Sequence, residues 1–313
     1  MREQIIGIGG ANVDLCGKAV GSVIAGDSNI GRIHISAGGV CRNICENVVR
    51  MGVPAALISV VGDDANGDYL LRHCKSTGLD ISAVRRIMGK RTGAYFSIHS
   101  GDGEMVAAIN DMEIVDCITP TFLEPYIDRI RNAKAVLVDA NLPSDTIRWI
   151  GETFADRPLF ADPVSCAKAE NLRPILHRLF LLKPNQMEAK ALTGCSDPKA
   201  SAAALHEAGV RHVCVSCGAE GVVYCGEQGN MLTRPKPLLS FPNATGAGDS
   251  LMGGLLAAYA QGLTLDEALR FAVTASVLTL QSPDTIRPDL SRESIIKSQK
   301  ECIFHESISF DPS

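Results

Sequence analysis

The sequence predicts an α/β fold of three layers, with helices on both faces of a mostly parallel central sheet and a small β-sheet lid. Three observations predict it. Short β-branched apolar runs read as buried strands and alternate with helical patterns along most of the 313 residues, the order that a covered parallel sheet requires. The last third is richer in helix, with Ala247–Gln261 and Leu265–Gln281 as its strongest periodic segments. Two regions break the rhythm, and one of them is a β-hairpin by its pattern.

The strands are expected at Gln4–Ile8, Ala56–Val61, Ala135–Asp139, Pro158–Ala161, Phe180–Leu182 and His212–Ser216. Helices are expected near Val40–Met51, Gly67–Thr77, Thr121–Arg131, Ser144–Phe154, Gln186–Leu192 and Lys199–Ala208. The first irregular region, about 14–36, is polar and turn-rich with short alternating pieces. The second, about 92–112, runs Ala94–Ile98, turns at Ser100-Gly101-Asp102-Gly103 and returns through Met105–Ile109. Together they make a small antiparallel sheet that covers a substrate site as a lid, or else an edge extension of the main sheet. No repeat or linker divides the chain, so residues 1–313 are read as one domain carrying the two lid segments.

Composition narrows the function. At 46% hydrophobic and 21% charged the chain can build a sizeable core. A net charge of −5 without any Lys/Arg block disfavours a nucleic-acid or anionic-membrane surface. The N-terminal apolar stretch is short and glycine-rich, unlike a signal segment, and no apolar run is long enough to span a bilayer. Eleven cysteines scattered over apolar segments read as reduced core thiols of a cytoplasmic protein. Cys214 and Cys217 form a C-x-x-C without a second ligand pair, and packing explains them, as it does Cys41 and Cys45.

Four motifs carry chemistry. Thr245-Gly246-Ala247-Gly248-Asp249 opens an apolar helix. A helix N-terminus offers unpaired N–H groups and a positive dipole end, and glycines let an anion approach them. An Asp beside such a cradle can take a proton from a substrate hydroxyl during phosphoryl transfer. The plainer reading is a glycine turn with an acidic first turn. No Gly-Lys-Ser/Thr follows, so this is not a Walker A loop. Gly7-Ile8-Gly9-Gly10-Ala11-Asn12 has the wrong glycine spacing for a dinucleotide fingerprint, which argues against a dehydrogenase.

Lys183-Pro184-Asn185-Gln186-Met187-Glu188 passes from a strand end into a helix. Asn185 and Glu188 share a helix face and can hold the water shell of Mg²⁺ beside a triphosphate, or simply form a capping box. Ser216, Gly218 and Gly221 follow another strand end, where a tight turn leaves room for a nucleotide or closes a hairpin. Asn12 and Asp14 follow the first strand, and Gly38, Gly39 and Asn43 open the first helix. Amide and carboxylate groups at such ends can fix sugar hydroxyls, or serve as turn and cap residues. Arg42 is expected on the surface in a salt bridge.

With these four motifs in this order, the chain resembles the ribokinase-like (PfkB) carbohydrate kinase family. The resemblance spans Ile5 to about Leu290 and implies the ribokinase-like fold, ATP and Mg²⁺. It implies Asp249 as the base and Gly246, Ala247 and Gly248 as the anion hole, with Thr245 beside it. Lys183, Asn185, Glu188, Ser216, Gly218 and Gly221 would meet the nucleotide and its metal. Asn12, Asp14, Gly38, Gly39 and Asn43 would meet the sugar. It also implies a small-molecule acceptor and a homodimer formed through the lid. Asn243 stands where potassium-activated members usually carry Asp, which leaves the monovalent cation open.

Three segments are further similar to the pseudouridine kinases of this family: Ala25–Ile33, Val106–Met112 and Asp162–Lys168. Ser28, Asn29 and Asn110 can meet a uracil edge, which offers donors and acceptors. Asn141 stands where many family sugar kinases carry an acidic sugar ligand, and Lys168 lies nearby. The implied reaction is phosphorylation of the 5′-hydroxyl of pseudouridine. Another nucleoside or pentose kinase, such as a ribokinase or a purine nucleoside kinase, is the alternative. A non-catalytic binding protein on the same fold would be expected to lose Asp249, Asn185 or Glu188, and all three are present.

Overall fold

A computed structural model describes residues 4–235, 245–300 and 304–309. Its main sheet has ten strands. In chain order these are β1 (Ile5–Ile8), β4 (Ala55–Gly62), β5 (Asp80–Ile87), β8 (Ala135–Asp139), β9 (Leu159–Asp162), β10 (Leu181–Leu182), β11 (His212–Ser216), β12 (Val222–Gly226), β13 (Gly229–Pro235) and β14 (Phe304–Ser309). The remaining four, β2 (Asn12–Ala19), β3 (Gly31–Gly38), β6 (Gly93–His99) and β7 (Met105–Asp111), form a second sheet.

The main sheet runs β14-β13-β12-β11-β10-β9-β8-β1-β4-β5. From β5 to β11 every pairing is parallel, and β12 to β14 continue it antiparallel. The alternation of side chains along each strand explains the three layers. Ile5, Leu57, Leu137 and Phe160 pack with helices Val40–Arg50, Ala247–Gln261 and Leu265–Leu280. Their neighbours Ile6, Ile58, Val138 and Ala161 face the other way, against helices Ser144–Thr153, Gln186–Thr193 and Pro198–Glu207.

Two expectations need correction. The segment Thr121–Arg131 is not one helix but Pro120–Leu123, a 3₁₀ turn at Glu124–Tyr126, and Ile127–Arg131. Pro125 cannot donate the hydrogen bond an unbroken helix would need. The lid sheet is mixed rather than antiparallel. Its order is β3-β2-β6-β7, and β2 pairs β6 in parallel, because the two hairpins come from separate parts of the chain.

Consecutive strands leave β1 in opposite directions: β4 lies on one side and β8 on the other. Open α/β sheets bind ligands beyond the carboxyl ends of the strands at such a switch point. The chain after β1 rises directly into the lid through β2, so the lid stands over that crevice. No helix of the described residues is long and apolar enough to cross a membrane.

Candidate active site

Asp249 lies in the first turn of helix Ala247–Gln261, whose N-cap is Gly246. Gly246 has φ 83°, and a Cβ there would stand 1.8 Å from the Thr285 carbonyl oxygen. Only glycine permits that left-handed turn against the backbone behind it. Gly246 has no side chain to cap this helix, and among the described residues no side-chain cap is formed, so its first N–H groups remain available to an anion. The Asp249 carboxylate is only partly accessible and accepts a 2.7 Å hydrogen bond from Asn43 Nδ2. Burial, reinforced by the charge of Asp162, raises its pKa to about 7, against the opposing pull of Asn43, Lys183 and Arg42. A carboxyl group poised there can exchange a proton near neutral pH.

Lys183 is buried at the end of β10, and its Nζ pairs with Asp162 Oδ2 at 3.1 Å. A Cβ on Gly248 would meet that same Nζ at 3.5 Å, so the lysine reaches under the helix entrance. Burial disfavours the ammonium, but Asp162, Glu188 and Asp249 around it raise its pKa overall. Beside it the capping box is fully formed. Asn185 Oδ1 accepts from Glu188 N, and Glu188 Oε2 accepts from Asn185 N, both at 2.9 Å. Glu188 is buried, and its carboxyl pKa is raised by that burial and then by Asp162. Asp162 Oδ2 is buried, and beyond its ion pair with Lys183 no hydrogen bond meets it among the described residues. Two close buried carboxylates, one of them with an oxygen that only an ion pair meets, are a donor set that a hard divalent cation fits.

β11 delivers Ser216 next to this group, since Ser216 bridges to Asn185 and donates its N–H to Pro184 O at 2.9 Å. Gly218 and Gly221 then turn the chain with φ 59° and 90°. Thr245 precedes Gly246 and is exposed. Asn243 lies outside the described residues.

On the other side of Asp249, Asn12 Nδ2 donates to Asp14 Oδ1 at 2.6 Å. A Cβ on Gly38 would fall 2.3 Å from that carboxylate oxygen, so glycine there keeps space for it. Gly39 caps helix Val40–Arg50 with φ 98° against the Gly10 backbone. At the switch point, the buried carboxylate of Asp139 accepts from Gly10 N at 3.0 Å, from Cys41 N at 3.1 Å and from Asn141 Nδ2 at 3.0 Å. The oxygen of Asn141 accepts from Lys168 Nζ. Asn141 and Lys168 thus form one polar cluster, and burial lowers the lysine's pKa.

Arg42 is not a surface residue. It is 0% exposed, and it does pair with a carboxylate, that of Glu46. Its burial is compensated because each of its three guanidinium nitrogens donates to an acceptor in helix Val40–Arg50 or its approach. Sequence reasoning also passed over Asp139 and Asp162. The available signal was that β8 and β9 each end on an aspartate, at the sheet edge where ligands bind. Val164, two residues after Asp162, has φ 65°. For a β-branched residue this is strained by roughly 1–3 kcal/mol, and its N–H is held by Asp162 Oδ1 at 2.9 Å.

Ser28 and Asn29 lie elsewhere. They sit in the exposed β2–β3 loop beyond the Ala19–Gly31 pair, whereas Asn12 pairs with Gly38 at the base. Seven residues of strand at roughly 3.3 Å each separate the two ends. Asn29 uses its side chain to close the loop, accepting from Ile24 N at 2.8 Å and donating to Ile24 O at 2.9 Å. Asn110 is nearer the cleft. It pairs with Tyr95, which pairs with Asp14, so the three share one face of the lid. A separate cavity of about 550 Å³ opens between Pro158, Leu179, Phe180 and Arg211, and none of the candidate residues line it.

The model of the pfkB family carbohydrate kinases matches residues 2–292. The chain belongs to that family. Pseudouridine kinase of Escherichia coli (strain K12) is 35% identical to this pfkB-family protein over 312 residues, covering 97% of this chain and 100% of that one. A putative sugar kinase from Clostridium perfringens superposes with a TM-score of 0.86 at 28% identity, covering 99% of both chains. Arabidopsis thaliana ribokinase complexed with ribose and ATP superposes with a TM-score of 0.81 over 95% of this chain and 98% of its own. At 21% identity that likeness speaks for the fold. As a pfkB-family kinase, the protein transfers a phosphoryl group to an alcohol of a small molecule.

Proposed function

We propose that this pfkB-family kinase phosphorylates the 5′-hydroxyl of pseudouridine at the expense of ATP. The observation that carries the chemistry is the placement of Asp249. It stands at a helix N-terminus capped by a glycine, bonded by Asn43 and desolvated until its pKa reaches about 7. Asp249 takes the proton of the acceptor hydroxyl as that oxygen forms its bond to the γ-phosphorus. The bond from phosphorus to the β,γ-bridging oxygen breaks, and ADP departs. The N–H groups of the Gly246–Gly248 turn lie where negative charge on the transferred group is stabilised without reorganisation.

Lys183 faces the same place from below. Ser216, Gly218, Gly221 and Thr245 border the nucleotide. Glu188 and Asn185, with Asp162 beside them, would hold Mg²⁺ through its water shell. When bound, the metal supplies charge neutralisation for the phosphates. Asn12, Asp14, Gly38, Gly39 and Asn43 hold the ribose, with Asn141 and Lys168 at the switch point. Asn110 and the loop carrying Ser28 and Asn29 meet the base once the lid is over it.

The support for pseudouridine is the 35% identity, across nearly the whole length of both chains, to a protein of that activity. A cytidine kinase of Thermococcus kodakarensis at 27% identity keeps other nucleosides as the second reading. The deciding experiment is ATP consumption with pseudouridine, uridine, cytidine, ribose, adenosine and inosine at equal concentration. Pseudouridine should lead. A flat or ribose-led profile would remove the specific substrate and leave the kinase.

The lid also supports a homodimer. Ile35, Leu15, Phe96 and Ile109 form one cross-strand row, and Ile33 lies on the same face. Ile33 is 71% and Ile109 68% exposed. A second copy of the chain, presenting the same row, would cover this face.

A further inference from the structure

The proposed base is held by Asn43, and an asparagine amide alone does not choose its orientation. Its oxygen and nitrogen differ little in shape, and a flipped amide would set an oxygen against the Asp249 carboxylate. The guanidinium of Arg42 makes the choice. Its Nη2 donates to Asn43 Oδ1, so the amide nitrogen must face Asp249, which it does at 2.7 Å. The same guanidinium is fixed on its other sides. Nε donates to Gly38 O at 2.7 Å, Nη2 also donates to Ala37 O at 2.8 Å, and Nη1 donates to Glu46 Oε2 at 2.5 Å.

Glu46 is itself held. Arg50 donates to its Oε1 at 2.9 and 2.7 Å, and His73 Nε2 lies 3.0 Å from its Oε2. Arg50 also donates to Pro288 O at 2.5 Å, which ties the network to the segment whose Thr285 carbonyl backs Gly246. Arg42 meets Glu46 and the Cys74 thiol directly, and its charge reaches Asp14 and Asp249. The groups that act on Asp249 are Asn43, Asp162, Lys183 and Arg42. Arg42 is therefore the buried cation whose charge acts both on the carboxylate assigned to the sugar and on the carboxylate assigned to the acceptor proton.

We infer that Arg42, locked by Glu46, is a positioning residue for phosphoryl transfer, setting through Asn43 the orientation and charge state of Asp249. This rests on the reading of Asp249 as the base. A purely structural ion pair of the same residues would affect folding alone, and the two roles separate in kinetics.

The test compares full-length wild type, R42Q, E46Q, D249N and the core variant I147V, which lies in the opposite helical layer. The acceptor is whichever of the six compounds above gives the highest rate. Measured are kcat and KM against pH, the ATP dissociation constant and the melting temperature. R42Q should lose roughly 30-fold in kcat with ATP affinity unchanged, and its acidic midpoint should move to higher pH because a favourable cation is gone. E46Q keeps the cation but frees it from its partner, so kcat should fall by a smaller factor, roughly fivefold, with little movement of the midpoint. Wild-type kcat and midpoint in R42Q would overturn the inference, as would a loss no larger than that of I147V at matched melting temperature. Should R42Q fail to fold, E46Q decides by kcat alone: a wild-type value, or a loss no larger than that of I147V at matched melting temperature, would overturn the inference. Inactive D249N beside unaffected R42Q sinks the positioning role alone, whereas active D249N sinks the base and with it any residue acting through it.

Discussion

At the floor of the cleft, Asp249, Lys183, Asp162 and Glu188 are shielded from water, and charged or hydrogen-bonding neighbours already hold them in the free protein. On the lid above, all of β7 is exposed, Asn110 faces solvent, and Asn29 closes its own loop. The difference divides the labour. The floor is preorganised, so its electrostatics act without rearrangement when the substrate arrives. We propose that the lid completes its contacts only with a ligand or a second copy, and that acceptor choice is made there.

The comparison breaks if floor variants are mild or lid variants are severe. The largest effect should come from Asp249→Asn, with kcat reduced by roughly 10³–10⁴-fold and ATP binding kept. The same variant should melt higher than wild type at pH 8. A carboxyl whose folded pKa is raised from 3.8 to about 7 stabilises the fold least once pH exceeds the folded value. That advantage should vanish below pH 3.8, where both forms are neutral. Calorimetry at the two pH values checks the sign.

Lys183→Met should come next, cutting kcat/KM by roughly 10²-fold or more. It strands Asp162 in the interior, a loss of about 3–5 kcal/mol in chemical denaturation. Among lid variants, Asn110→Ala should raise the acceptor KM by roughly tenfold with kcat nearly kept, since one hydrogen bond to a bound base is lost. Asn29→Ala should change KM less than Asn110→Ala. Ile109→Glu should halve the mass seen by light scattering and leave ATP binding intact. An unchanged mass would remove the lid dimer.

How much of this was legible in sequence follows the same division. β8 and β11 have the bounds expected of them, because a strand buried on both faces carries an apolar run between its ends. The helix entrance at Gly246 was legible because its glycines answer a local backbone demand. Arg42 was not. Its burial depends on Glu46, one helical turn away, and on the carbonyls of Ala37 and Gly38, so its neutral-looking environment exists only after helix Val40–Arg50 has docked. Asp139 and Asp162 were missed for a related reason. Each is an ordinary strand-end acid until the parallel sheet places it at the switch point among backbone N–H groups or beside Lys183. Asn29 differs again, since its side chain already bonds within its own loop and its proposed place beside a base depends on the lid lying over the cleft.

The central claim is that a desolvated Asp249 accepts the acceptor's proton. The most direct measurement is the pH dependence of wild-type kcat/KM under saturating ATP and magnesium, with the residual activity of Asp249→Asn followed alongside. A base works only when deprotonated, so wild-type activity should fall below pH about 7 with the slope of a single proton, and the variant's residual rate should show no such limb. A wild-type profile flat from pH 5 to 8, or the same limb persisting in Asp249→Asn, would contradict it.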